Sequence, residues 1–130
     1  MYTVTAATNQ EPYYTTLTTG TNTMTADEPP TTGGKGRGFS PGELLASALA
    51  SCVSITVRMY ADKKEWPLEQ IEVVVTIERD ELRDETRIIK KVNLAGPLNE
   101  EQKERLLLIA DKCPVHKYLT HPLTITTVAG

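Results

Sequence analysis

One segment, residues 40–64, constrains the fold more than any other part of the chain. It follows a glycine- and proline-rich loop, residues 27–42, and begins with the tetrapeptide SPGE at residues 40–43. SPGE has the form of a capping box, with Ser40 as the N-cap, a proline at the first helical position and Glu43 at position N3. Apolar residues then recur at helical spacing up to a Trp-Pro pair, which ends the pattern. This segment predicts one long helix.

The apolar residues of the predicted helix lie on more than one of its sides. A helix that is apolar on several sides is buried on several sides. In a chain of 130 residues, this pattern predicts that a partner subunit covers part of the helix. The expected core face consists of Leu45, Leu49, Cys52, Thr56 and Met59, widened by Leu44, Ala48 and Ile55, while Ala46, Ala50, Val53 and Val57 lie around the rest.

The other segments predict strands and a second helix. The first 25 residues are rich in threonine and tyrosine, which suit strands, with a turn at residues 19–22. Two segments rich in valine and isoleucine, residues 69–80 and 86–96, flank a charged turn and predict a β-hairpin. Asn99 is the expected N-cap of a helix over residues 100–113. A short helical piece follows Pro114, and residues 123–128 (LTITTV) predict a last strand.

This order of elements predicts an α+β fold with an antiparallel sheet and helices packed on it. The length suits a single domain over residues 1–130. With a net charge of −3, the chain lacks the basic face that phosphate contacts need, so we expect no nucleic-acid partner. The longest uncharged apolar run, residues 44–57, is too short to span a bilayer, and the N-terminus has no signal-peptide pattern. We therefore expect a cytoplasmic protein without a membrane partner, in a compartment where structural disulfides are rare.

The two cysteines are the candidate reactive residues. Cys52 lies on the apolar side of the long helix, where an inert buried thiol is the common case. Cys113 ends one helix and precedes Pro114, which can begin another, so it is expected at a positive helix end. Lys112, His116 and Lys117 add nearby cationic or protonatable groups. This setting favours the reactive thiolate and predicts that Cys113 is the more exposed and more electropositive thiol.

Other site chemistries have little support in the sequence. The spacing Cys113-x-x-His116 is a weak metal signal, because structural zinc needs four ligands and the chain has two cysteines and two histidines. The glycine-rich stretch GGKGRG at residues 33–38 lacks the strand-to-helix context of a phosphate loop. We therefore expect no metal site, and the family resemblance described next implies that no cofactor is bound.

Three stretches taken in order carry a family resemblance: SPGELLASALASC, VRMYADKKEWPLEQIEV and CPVHKYL. The chain resembles the osmotically induced protein C and organic hydroperoxide resistance family from Asp27 to the last predicted strand. The resemblance implies an intertwined homodimer, in which antiparallel sheets pack around two central cysteine-bearing helices. It also implies a thiol-dependent peroxidase that reduces organic hydroperoxides at the subunit interface. Cys52 would be the peroxidatic residue and Cys113 the resolving one, recycled by an external dithiol such as a lipoylated protein.

The sequence departs from this family at the helix start. In the best-characterised members of the family, a glutamate directly follows the helix-opening proline and pairs with an arginine that holds the peroxidatic thiolate. Here Gly42 follows the proline and Glu43 comes one position later. Positions 42 and 52 are ten residues apart, so their side chains lie within about 80° of each other around an α-helix. Positions 43 and 52 are nine residues apart and lie about half a turn from each other, so Glu43 projects away from the Cys52 face. Glu43 is therefore interpreted mainly as a capping residue, with a catalytic role as the alternative.

The candidate for the arginine of the family pattern is Arg37, the only arginine before Cys52. A guanidinium beside Cys52 would favour the thiolate and orient a peroxide, and the alternative is a solvated loop cation. Arg58, on the same helix as Cys52, is a weaker candidate. Two other functions stay open: a non-catalytic relative that binds a small apolar ligand at the dimer interface, and a thiol-based sensor that signals its oxidation to a partner.

Overall fold

The computed structural model describes all 130 residues. The chain forms two compact units, an N-terminal unit (Met1–Leu45) and a C-terminal unit (Ala46–Gly130). Three helices and two antiparallel sheets give an α+β architecture, as the order of sequence patterns predicts. The expectation of a single domain stays a prediction.

The sheet of the N-terminal unit is formed by β1 (Thr5–Thr8), β2 (Thr15–Thr18) and β3 (Thr23–Ala26). All pairs are antiparallel, and the register places Leu17 opposite Met24. In the turn between β2 and β3, the Thr19 amide donates to the carbonyl of Asn22 at 2.9 Å. The predicted turn at residues 19–22 is therefore confirmed.

The loop after β3 is more ordered than its composition predicts. The glycine and proline content of residues 27–42 predicts a loop without regular structure, and this prediction is wrong at Pro30–Thr32, which form a turn of 3₁₀ helix. Pro30 at the first position of the turn fits its fixed φ angle. A Cβ on Gly34 would lie 1.9 Å from the carbonyl oxygen of Glu28. Only glycine therefore lets the two backbone segments approach this closely.

The long helix α1 spans Pro41–Lys63. Its start is the predicted capping box, because the Ser40 amide donates to Glu43 Oε1 at 2.9 Å and the Glu43 amide donates to Ser40 Oγ at 3.3 Å. The predicted core face is partly wrong, since Leu45 and Met59 are exposed. The stripe that packs into the core is shifted and repeats every four residues: Leu49, Val53, Val57 and Ala61.

Helix α1 is also long enough and apolar enough, by length and composition alone, to cross a membrane. The uncharged apolar run at residues 44–57 is too short to span a bilayer, but the helix that contains it is longer and has 23 residues. Length and composition are weak evidence for a membrane span, because the core helix of a soluble protein meets the same criteria.

A hairpin of two long strands dominates the C-terminal unit. Strands β4 (Gln70–Asp80) and β5 (Glu85–Ala95) pair antiparallel along their whole length. Side chains alternate between the two faces of a strand. The inward positions of both strands pack against the core cluster of this unit: Ile71, Val73 and Val75 from β4, and Ile88, Val92 and Leu94 from β5. The predicted hairpin is confirmed.

Two shorter helices follow, α2 (Glu100–Ala110) and α3 (Pro114–Thr120). Asn99 caps α2 in a second capping box with Gln102, as its position in the sequence predicts. The apolar face of α2 packs into the core, where Leu106, Ile109 and Ala110 are buried together with Cys113. Helix α2 is shorter than expected, and Cys113 is the N-cap of α3.

The predicted last strand is not present in the chain. Residues 122–130 have no regular secondary structure, although LTITTV has the composition of a strand. A strand forms only where it meets a sheet edge that satisfies its amide and carbonyl groups. The apolar side chains of this segment, Leu123, Ile125 and Val128, are exposed.

Candidate functional site

The two cysteines meet inside the C-terminal unit. Cys52 lies on α1 and packs against the core cluster that contains Cys113. Cys52 lies close enough to raise the pKa of the Cys113 thiol, and both are free thiols. Neighbouring free thiols are the starting point for a disulfide. The structure therefore brings together the two residues that the sequence nominates as reactive.

Their exposure is the reverse of what the sequence predicts. Cys113 is fully buried with 0% exposure, whereas Cys52 is half-buried. Burial raises the pKa of the Cys113 thiol, a hydrogen bond from the His116 amide opposes this, and the neighbouring Cys52 raises it further. The expectation that Cys113 is the more exposed thiol is wrong, because α2 folds its apolar face, including this cysteine, into the core.

The sulfur of Cys113 is held by the first turn of α3. The backbone amide of His116 donates to Sγ at 3.3 Å, so the thiol acts as the cap of this helix. The cation that interacts electrostatically with Cys113 is Lys90 of β5, and its charge lowers the pKa of the thiol. Lys112 and Lys117, the cations expected from the sequence, are exposed.

Lys90 is a site residue that the sequence analysis missed. Its ammonium donates to the Ala110 carbonyl at 3.0 Å and to Asp111 Oδ1 at 2.9 Å, and it lies 2.9 Å from Nδ1 of His116. The available signal was strand alternation. Lys90 falls two residues after Ile88 and two before Val92, so it occupies an inward position of β5.

Arg37 lies in the N-terminal unit, where it takes part in an ion-pair cluster. Its Nε atom donates to Asp27 Oδ2 at 3.1 Å, and its Nη1 atom donates to Glu11 Oε1 at 2.8 Å. The guanidinium carbon also lies 4.4 Å from the centre of the Tyr14 ring. Arg37 is therefore a partner of a buried carboxylate rather than a freely solvated loop cation. Its role towards Cys52 stays a prediction.

Glu43 is held at the start of α1 by the capping box. Hydrogen bonds with the Ser40 backbone and side chain lower the pKa of the Glu43 carboxyl. These contacts agree with its interpretation as a capping residue. Arg58, the weaker candidate, forms an ion pair with Asp62 one turn further along α1, at 3.0 Å.

No group of three or more histidine, cysteine, aspartate or glutamate side chains is arranged to hold a metal ion. The chemistry that the site offers is that of the Cys52–Cys113 pair. Two adjacent thiols can exchange with a disulfide or close one between themselves. The class of protein defined by the C-terminal unit is thus an α+β protein with a buried dithiol pair.

Comparisons with known proteins place this class in a family. The sequence model of the OsmC-like protein family matches residues 33–128. The chain therefore belongs to the OsmC-like protein family. A comparison with curated protein sequences gave no significant match.

Solved structures share the fold over most of the chain. The OsmC-like protein of Mycoplasma pneumoniae is 26% identical with a TM-score of 0.77, over 92% of this chain and 86% of that one. An organic hydroperoxide resistance protein OsmC of Legionella pneumophila is 20% identical with a TM-score of 0.68, over 92% and 89%. The organic hydroperoxide resistance protein OhrB of Bacillus subtilis is 21% identical with a TM-score of 0.63, over 95% and 93%. At 20–21% identity, the last two are evidence of a shared fold only.

Proposed function

We propose that the protein is a cytoplasmic thiol peroxidase that reduces organic hydroperoxides to alcohols and is recycled by an external dithiol. The observation that carries the proposal is the proximity of the half-buried Cys52 to the fully buried Cys113 in one core cluster. Membership of the OsmC-like family supports it. So do the names of two structural neighbours, which describe those proteins as organic hydroperoxide resistance proteins.

The difference in exposure suggests which thiol attacks the peroxide and which one resolves the oxidised product. The attacking thiolate must reach a peroxide that arrives from solvent, which suits Cys52 better than a sulfur with 0% exposure. Cys113 then has to reach only Cys52, its neighbour. Because burial raises the pKa of Cys113, this residue stays a thiol in the resting protein and can donate its proton towards Cys52.

The proposed cycle has three steps. The Cys52 thiolate attacks the distal oxygen of the hydroperoxide, the O–O bond breaks, and the alkoxide takes up a proton and leaves as alcohol. The sulfur is oxidised by two electrons to a sulfenic acid. The Cys113 sulfur then attacks Cys52, the S–O bond breaks, and hydroxide leaves with a proton as water. A dithiol reduces the resulting disulfide by two exchanges and leaves as its own cyclic disulfide.

The proposal includes a homodimer, with the site completed at the subunit interface. Leu45, Ile55 and Met59 of α1 are 45%, 55% and 67% exposed in the single chain. Large apolar side chains repeated along one helix usually mark an interaction surface. A second copy that covers them would surround Cys52 with apolar groups, which suits an organic hydroperoxide better than hydrogen peroxide.

The test is consumption of cumene hydroperoxide with dihydrolipoamide as the reductant. The wild type should turn over, Cys52→Ser should be inactive, and Cys113→Ser should accumulate a sulfenic acid at Cys52 that a dimedone probe traps. Mass spectrometry should find the Cys52–Cys113 disulfide in the wild type after one equivalent of peroxide. Unmodified thiols and no turnover would contradict the proposal. They would favour a non-catalytic relative that binds a small apolar ligand, consistent with Gly42 at the family's glutamate position.

A further inference from the structure

The side chain of Lys90 is unusual for a strand lysine because it is only 13% exposed. An ammonium group has three N–H donors and no acceptor. Here three acceptors surround it: the Ala110 carbonyl, Asp111 Oδ1 and His116 Nδ1, all within 3.0 Å. Every donor of the ammonium is therefore used. Because Lys90 donates to Nδ1, a neutral His116 ring carries its proton on Nε2.

The three acceptors lie on both sides of Cys113 in the chain. Ala110 ends α2, Asp111 follows it, and His116 lies in the first turn of α3. Lys90 thus ties the two helices together at the corner where Cys113 lies. The amide of His116 also donates to the Cys113 sulfur, so the residue that contacts Lys90 through its ring contacts the thiol through its backbone.

The charged and titratable groups around the thiol come from four elements. Cys52 faces it from α1, Lys90 from β5 and His116 from α3, while Asp111 lies at the end of α2 and binds Lys90. Burial and the neighbouring Cys52 raise the pKa of the Cys113 thiol, whereas Lys90 lowers it. The half-buried position of Lys90 means that solvent screens this charge less than it screens the exposed lysines.

We propose that Lys90 is a positioning residue for the resolving step, which holds the corner between α2 and α3 so that the Cys113 sulfur forms as a thiolate facing Cys52. This role rests on the proposed peroxidase function. In that step Cys113 loses its proton and attacks the sulfenic sulfur of Cys52, an S–S bond forms, and the hydroxide released from the S–O bond leaves as water. The positive charge of Lys90 favours the thiolate form of Cys113 before the attack. The three hydrogen bonds of the Lys90 ammonium hold the corner between α2 and α3, which keeps the thiolate directed towards Cys52.

The experiment compares Lys90→Met, Lys90→Arg and the control Lys91→Met. Lys91 is exposed on the opposite face of β5, so its loss removes the same charge without touching the corner. In the Cys52→Ser background, Cys113 is the only cysteine, and its titration is followed against pH by the ¹³Cβ chemical shift of this residue, which does not require a reagent to reach the buried sulfur. Lys90→Met should move the midpoint upward and reduce the thiolate fraction at a given pH by about three- to tenfold. Lys90→Arg should restore most of the wild-type profile.

The second readout uses proteins that keep both cysteines. After one equivalent of hydroperoxide, Lys90→Met should form the sulfenic acid at the wild-type rate and close the disulfide about three- to tenfold more slowly. Circular dichroism of each variant reports whether it is folded. A titration midpoint of Cys113 in Lys90→Met equal to that in Lys91→Met would overturn the role of Lys90. Failure of the wild type to form any sulfenic acid would instead overturn the peroxidase, and the midpoint measured without peroxide would still decide on the charge of Lys90.

Discussion

Arg37 Nε donates to Oδ2 of Asp27 over 3.1 Å, and the Asp27 side chain is 0% exposed. The backbone amides of Glu28, Lys35 and Arg37 also donate to this carboxylate, at 2.8–3.3 Å. Burial alone would raise the pKa of Asp27, but the hydrogen bonds from Arg37 and from these amides lower it to about 2. The buried Asp27 carboxylate therefore holds the loop after β3 in place through its hydrogen bonds to the loop backbone and to Arg37.

The first prediction is a loss of stability in acid that depends on Asp27. Because its pKa is lower in the folded chain than in the unfolded chain, its contribution is fully present above about pH 4, the ordinary aspartate range. It is lost as the pH falls towards about 2. Urea unfolding between pH 7 and pH 2 should show Asp27→Asn less stable than the wild type at pH 7, with the difference shrinking in acid.

The matched control for that experiment is Asp62→Asn. Asp62 is exposed and pairs with Arg58 on the surface of α1, and exposed pairs contribute little to stability. Its unfolding curve should follow the wild type at every pH. A difference between Asp27→Asn and the wild type that stays constant from pH 7 to pH 2 would contradict the assignment.

The second prediction separates capping from catalysis at the start of α1. Ser40→Ala removes the hydroxyl that accepts the Glu43 amide, and loss of an N-cap costs about 1 kcal/mol. Asn99→Ala, at the corresponding position of α2, should cost a similar amount. Glu43→Gln keeps an acceptor for the Ser40 amide and should keep the peroxidase rate. A large loss of turnover in Glu43→Gln, with unchanged stability, would show that the carboxylate acts in catalysis.

The third prediction concerns Gly96, which has φ +135° at the end of β5. A Cβ there would lie 2.1 Å from the carbonyl oxygen of Pro67. Gly96→Ala should therefore destabilise the protein by more than the roughly 1–3 kcal/mol of backbone strain alone. Gly42→Ala is the control, because a Cβ on Gly42 meets no atom within 4 Å. Thermal unfolding should separate the two variants clearly, and equal melting temperatures would contradict the inferred clash.

The fourth prediction tests the proposed dimer through the exposed apolar side of α1. Ile55→Glu and Met59→Glu place a charge where a second copy would pack, and both should shift the mass measured by light scattering from dimer to monomer. Leu82→Glu is the control, because Leu82 is 100% exposed in the hairpin turn. A monomer mass for the wild type at micromolar concentration would exclude the dimer under those conditions.

Local signals predicted the elements, and tertiary contacts decided the details of the site. The capping residues Ser40 and Asn99 mark the starts of two helices because each cap is settled within three residues of the chain. The burial of Cys113 depends on how α2 packs, and Lys90 reaches this cysteine from a strand more than 20 residues away. Strand alternation is a signal that could have placed Lys90 on the inner side of β5, but only the fold shows which atoms its ammonium meets.

The same limit explains the core face of α1 and the last segment. Leu45 and Leu49 both fit a helical apolar stripe, and only the position of the neighbouring hairpin selects Leu49 for the core. Residues 123–128 have strand composition, but composition does not supply the sheet edge that a strand requires. Predicting either feature needs knowledge of what packs against it.

Because the Cys113 sulfur caps α3, its oxidation should alter a hydrogen bond of the backbone. The His116 amide donates to a thiol sulfur in the reduced chain. A sulfur engaged in a disulfide is a poorer acceptor and is displaced towards its partner, which leaves this amide less protected. The nuclear magnetic resonance signal of a single N–H group, and its rate of exchange with deuterated water, would then report oxidation of the protein without any label or added dye.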